Sequence, residues 1–107
     1  MSEHIEEEIR ALGLTAPRVT PADVEAAIAA VDYHVFGQVL TVCVLTLRNS
    51  FMVTGESACA DPRNFNKELG EKIARANATQ KIWPLLGYAL RQHLHDEQGL
   101  APVGHGG

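Results

Sequence analysis

Two periods divide this chain. Between Tyr33 and Ser57 apolar residues run together or alternate as strands do, and from Phe65 they recur at helical spacing. The strongest run is Val39 to Leu47. Thr41, Cys43, Leu45 and Leu47 fall on one side of that strand, and Leu40, Val42 and Val44 on the other. Both sides are apolar, so a single covering helix cannot satisfy them; the second side calls for the N-terminal helices or another subunit. Asn49-Ser50 stands where a hairpin turn is expected, and Phe51-Met-Val-Thr54 resumes the strand pattern. Gly55 interrupts it, which predicts a bulge or the close approach of another backbone. Upstream, Tyr33 to Phe36 reads as extended and Gly37-Gln38 as a turn.

The flanks read as helices. Ile5, Ile9 and Leu12 form one helical face that Gly13 ends, and Leu14 to Val19 is a linker. Thr20-Pro21-Ala22-Asp23 has the form of a capping box with proline at the first helical position. Val24, Ile28 and Val31 then mark a buried stripe, and the spacing predicts a helix that stops near Asp32. After the strands, Asp61 and Asn64 are two possible caps. Phe65, Leu69, Ile73, Ala76, Gln80 and Trp83 share one face of the next helix, with Gly70, Ala74 and Asn77 flanking it. Pro84 must kink or restart this helix, and Leu86, Leu90 and Leu94 carry it to about His95. The predicted class is α+β: a small antiparallel sheet over about residues 33–57, packed with N-terminal helices and a long kinked C-terminal helix over about residues 64–95. Residues 1–19 read as an acidic helix and linker, 20–96 as one domain, and 97–107 as a disordered tail.

Composition narrows the function classes. The chain has 107 residues, 46% of them hydrophobic, and a net charge of −4. No apolar run approaches the roughly 18 residues of a membrane span. The acidic start (Glu3, Glu6, Glu7, Glu8) does not read as a signal peptide, so the expected location is cytoplasmic. The net charge argues against duplex nucleic acid. It is uneven, however: residues 1–32 hold seven acids and two bases, whereas 62–83 hold five bases and two acids. The second region suits a small anionic ligand. Cys43 and Cys59 form no ligand spacing and read as reduced.

Candidate chemistry concentrates between Thr54 and Asn77. Ser57 is not in a nucleophile elbow, and Cys59 has no base partner in sequence. His93 and His95 face different ways on a helix, while His4, His34 and His105 stand alone, so neither a metal site nor a cofactor is encoded. An enzyme is not expected. There is no phosphate-binding glycine motif, but a helix start near Pro62 to Phe65, with Arg63 and Lys67 beside it, can hold an anion. Ordinary capping by Asp61 or Asn64, with surface pairs Lys67–Glu71 and Glu71–Arg75, is the competing reading. Asn77 must find partners, in the strand backbone or in a ligand. The candidate ligand-binding set is therefore Thr54, Glu56, Ser57, Arg63, Asn64 and Asn77. On a regular strand Thr54 and Glu56 share one face and Ser57 the other, so a single pocket needs a bulge at Gly55.

Three stretches resemble a phage family. They are Leu40-Thr-Val-Cys-Val-Leu-Thr-Leu-Arg-Asn49, Val53-Thr-Gly-Glu-Ser-Ala-Cys-Ala-Asp61 with Pro62, Asn64 and Phe65, and Lys81-Ile-Trp-Pro-Leu85 with Gly87 and Tyr88. With Thr15 to Asp23, they are similar to the small proteins named after gene product forty-nine and gene sixty-six of coliphages, over roughly residues 15–94. The chain departs from many relatives at Ser50, Asn66 and Leu86 and in a shorter Tyr33–Leu40 segment. The resemblance implies a phage or prophage accessory protein acting inside the host cell, and it supplies no enzyme activity. By analogy with other small oligomeric phage proteins, the expected role is a counter-defence sponge. It would be a homo-oligomer that sequesters a nucleotide immune signal of the cyclic oligonucleotide or cyclic ADP-ribose type. The alternative is a module that binds and blocks a host or phage protein.

Overall fold

Burial alternates strictly along Leu40–Leu47, with Thr41, Cys43, Leu45 and Leu47 buried and the residues between them half-buried. The computed structural model describes residues 3–14 and 16–99. In it this segment is β2, the centre of a three-stranded antiparallel sheet between β1 (Ile28–Phe36) and β3 (Met52–Ala58). Helices α1 (Glu3–Ala11) and α2 (Pro21–Ala26) precede the sheet; α3 (Lys67–Gln80) and α4 (Ile82–Glu97) follow it. This is the α+β class read from the sequence. The last part of the expected tail, residues 100–107, lies outside the described residues.

The sheet starts earlier than the periodicity indicates. The capping box of α2 is present as expected, with Thr20 Oγ1 accepting from the Asp23 N–H and Asp23 Oδ2 from the Thr20 N–H. The helix stops at Ala26, however, rather than near Asp32. Ile28–Phe36 instead pairs along almost all of β2, from Ile28 opposite Leu47 to Phe36 opposite Leu40. Alanines at 26, 27, 29 and 30 keep the local propensity helical. The ladder and the branched side chains Ile28, Val31 and Val35 override it. Gly37 and Gln38 both take positive φ in the turn to β2, and Ser50 does so in the turn to β3.

One face of the sheet, lined by Val31, Tyr33, Cys43, Leu45 and Val53, meets α2, α3 and Ile82 in the core. The face α3 presents is not its large apolar stripe. Ala74 and Ala78 are buried and Gly70 half-buried, each four residues from the next, while Leu69 and Ile73 are 54% and 41% exposed. Small residues win because the helix lies almost on the strand backbone. A Cβ on Gly55 would sit 2.1 Å from the Ala78 nitrogen and 2.4 Å from the Ala74 oxygen. Gly55 therefore marks a close approach and not a bulge, since β2 and β3 pair in unbroken register from Leu40–Ala58 to Thr46–Met52.

Helix α3 ends at Gln80 and α4 restarts at Ile82, with Pro84 in its first turn, where a missing N–H costs nothing. The two helices form one rod bent by 24°. From α4, Ile82 enters the core and Trp83 and Leu86 pack against it. Helix α1 is tied down by an ion pair between the buried Glu6 and Arg18, Oε1 to Nη1 at 2.6 Å. The other carboxylate oxygen of Glu6 has no partner among the described residues.

A candidate ligand-binding cleft

The unbroken register of β3 separates the candidate residues. Ser57 lies opposite Thr41 on the helix-covered face, whereas Thr54 and Glu56 lie opposite Val44 and Val42 on the other face. No single pocket lined by all of them forms. Asn77 donates from Nδ2 to the Glu56 carbonyl at 2.8 Å, so its amide binds α3 to the backbone of the edge strand. Of the two partners the sequence left open for Asn77, the strand backbone is the one it has.

Between β3 and α3 the chain turns at Pro62–Asn64 in a short 3₁₀ segment. Asp61 caps it by accepting from the Arg63 N–H, and the Arg63 guanidinium folds back onto the same carboxylate, with Nη2 to Oδ2 at 2.6 Å. That guanidinium holds the Asp61 carboxyl below its usual range, and the carboxylate in turn raises the Arg63 value. Asn64 caps nothing. The cap of α3 is Asn66, whose Oδ1 accepts from the Leu69 N–H at 2.9 Å, so the helix begins at Lys67 rather than near residue 64. The expected surface pairs along α3 are replaced by a longer link, Arg75 to Glu25 of α2 at 3.1 Å.

A cleft of about 120 Å³ opens where this turn crosses the end of the sheet. Its polar groups are Thr41 and Ser57 from adjacent strands, Asn64 and Asn66 from the turn, and the Cys59 thiol; Val39, Phe65, Leu69 and Ile73 supply apolar walls. Gly70 forms the floor, where a Cβ would come within 2.8 Å of the Thr41 hydroxyl oxygen. Of the six candidates the cleft brings together Ser57 and Asn64. Arg63 stands beside it, paired with Asp61 and facing solvent. Thr41 and Asn66 are members that the sequence reading missed. The strand alternation that pairs Thr41 with Ser57 would have located the first, whereas Asn66 was hidden by two better-looking caps upstream.

The arrangement offers hydrogen-bonding groups between apolar walls. Hydroxyls and amides with apolar walls suit a sugar or phosphate edge next to a flat ring. Cys43 lies beneath, opposite Gly55, and burial pushes its thiol above the ordinary value, which favours the protonated form. Among the described residues no group of three His, Cys, Asp or Glu side chains could hold a metal ion. No helix among them is long and apolar enough to cross a membrane.

The sequence model described as the phage protein (N4 Gp49/phage Sf6 gene 66) family matches residues 19–94. That span includes the sheet, the cleft, α3 and most of α4. Nothing matches among curated proteins or among solved structures.

Proposed function

The chain belongs to this phage protein family, and from that premise we propose that it is a non-enzymatic accessory protein that captures a small anionic, nucleotide-like ligand inside the host cell. The observation that carries the reading is the cleft: Ser57, Thr41, Asn64 and Asn66 converge on it, with Lys67 at the adjoining first turn of α3. Its 120 Å³ is smaller than the several hundred Å³ of a typical ligand pocket. It takes one phosphate or sugar, and the remainder of the ligand lies over Phe65, Leu69 and Ile73 or against another subunit of a homo-oligomer. The role that fits a phage is sequestration of a nucleotide immune signal, of the cyclic oligonucleotide or cyclic ADP-ribose class, in the host cytoplasm.

Thermal unfolding with a panel of cyclic di- and trinucleotides and cyclic ADP-ribose tests it. A true ligand at a hundred times its dissociation constant adds about 2.7 kcal/mol, and Ser57→Ala and Asn64→Ala reduce that gain while leaving the unliganded protein folded. No stabilisation by any member of the panel at millimolar concentration sinks the nucleotide reading. The second reading, a module that blocks a host or phage protein, draws on the apolar side of the sheet that no helix covers. A host protein recovered in stoichiometric amount on the purified chain, with no nucleotide bound, would favour it.

A further inference from the structure

The uncovered face of the sheet is ordered in rows across the three strands. The pairing sets Phe36, Leu40 and Ala58 in one row, His34, Val42 and Glu56 in the next, then Asp32, Val44 and Thr54, and then Ala30, Thr46 and Met52. The middle of every row belongs to β2 and is half-buried, while Phe36 and Met52 at opposite corners are 56% and 55% exposed. The N-terminal helices that might have covered this face lie elsewhere: Val24 of α2 is in the core on the opposite side, and α1 is held by Arg18.

We propose that a second copy of this chain covers the face, sheet on sheet, about a two-fold axis lying along β2. Rotation about that axis exchanges β1 and β3 and keeps each row at its level. Phe36 then meets the partner's Ala58, and Met52 meets the partner's Ala30, so each large corner residue finds a small one. His34 meets the partner's Glu56, and Asp32 meets the partner's Thr54, so each carboxylate finds a donor. Leu40, Val42 and Val44 meet their own counterparts along the seam. The other two-fold in the plane, across the strands, pairs His34 with the partner's Asp32 and Phe36 with the partner's Ala30. The complementarity therefore belongs to the face itself. It needs no matching surface on a foreign protein.

Three strands and eight residues span about 14 by 27 Å, or about 400 Å² on each copy. The two copies together bury about 800 Å², below the roughly 1,200 Å² of standard interfaces and in the range of weak, transient ones, so the dimer is a weak one, micromolar or above in dissociation constant. This inference deepens the oligomer part of the proposed function and rests on nothing in its nucleotide part. Because association is read without ligand, either idea can fail alone.

Sedimentation velocity of the full chain over roughly 1–200 µM covers the range such an interface calls for. The expected result is a monomer–dimer equilibrium that Phe36→Glu weakens by about tenfold or more. Val42→Lys, on the central strand, does the same, with circular dichroism and unfolding midpoint at low concentration close to those of the unmodified chain. Tyr88→Glu, at a 73% exposed site on α4, leaves the equilibrium unchanged. A chain that stays monomeric at the highest concentration overturns the proposal. So does a dimer indifferent to both sheet variants, or one that Tyr88→Glu dissolves.

Discussion

On one face of the sheet Thr41, Cys43 and Leu45 lie under α3; on the other, Leu40, Val42 and Val44, one residue away along the same strand, are only half-buried and lie under no helix of the described residues. The covered face is built for proximity. Gly55, Ala74 and Ala78 remove side chains so that the backbones of helix and strand nearly touch, and at Gly55 the contact leaves no space that another side chain could enter. The open face is built from branched side chains at the centre and two large ones at the corners. A close-packed face is finished within the monomer, whereas a face of projecting side chains needs something flat placed on it. The same strand thus serves folding with one set of residues and association with the other.

The largest expected contrast between the faces is a truncation. Leu45→Ala, at a fully buried site, should lower stability by about 2–5 kcal/mol through lost burial and the cavity left behind. Val44→Ala, its neighbour on the open face, should cost about 1 kcal/mol or less when measured below the concentration of association. Equal losses at the two sites would mean that the open face is packed within the monomer. Addition should show the same asymmetry. Gly55→Ala drives a methyl into the backbone of Ala74 and Ala78, which cannot retreat without moving α3, and should cost about 2–3 kcal/mol. Thr54→Val, next along β3 but facing the other way, should change stability by less than about 0.5 kcal/mol. Urea unfolding of the two variants reads both values.

Much of this contrast could be read before any coordinates. The doubly apolar β2, the turns at Gly37-Gln38 and Asn49-Ser50, the capping box at Thr20 and the restart at Pro84 are local signals, and local chemistry decides them. Three features were not legible, for a common reason. Residues 28–32 looked helical because alanines fill the positions between Ile28 and Val31, and only pairing with β2 makes them part of the strand that Tyr33 to Phe36 already suggested. The buried side of α3 looked like the Leu69–Ile73 side because size usually marks the core. Here the partner is a backbone at Gly55, and the smallest side chains are the ones that fit. The candidate set around Thr54 needed a bulge to become a pocket. The close approach that Gly55 equally allowed is what the fold uses, so the set divides between the faces.

A smaller contrast lies at the start of the covering helix. Asn66 accepts from the Leu69 N–H, and Asn66→Ala should lose about 0.5–2 kcal/mol as a cap does. Asn64, two residues earlier, caps nothing and faces the cleft; Asn64→Ala should stay within about 0.5 kcal/mol while weakening any ligand bound there. If Asn64→Ala proves the more damaging of the two, the turn is organised differently from this structure, and the cleft loses one of its polar walls.

The smallest effect concerns Asp61 and Arg63 on the same turn, and it is a matter of sign. The Arg63 side chain is the largest cause of the lowered Asp61 carboxyl, with the Arg63 backbone N–H second. A carboxyl whose folded value lies below its ordinary 3.8 favours the folded state when ionised. That contribution is complete above the ordinary value and is lost as pH falls through the lowered one. Both groups face water, so solvent screens the pair. Stability at neutral pH should therefore barely respond to Arg63→Ala, whereas NMR titration should find the Asp61 carboxyl moved back towards its ordinary value. In Asp61→Asn the acid limb below about pH 4 should lose the part of its slope that the carboxyl supplies. An Asp61 titration that does not move when Arg63 is removed would mean that the guanidinium is turned away from the carboxylate. Arg63 would then be free to reach a phosphate in the cleft, and the division of labour between turn and cleft drawn above would have to be redrawn.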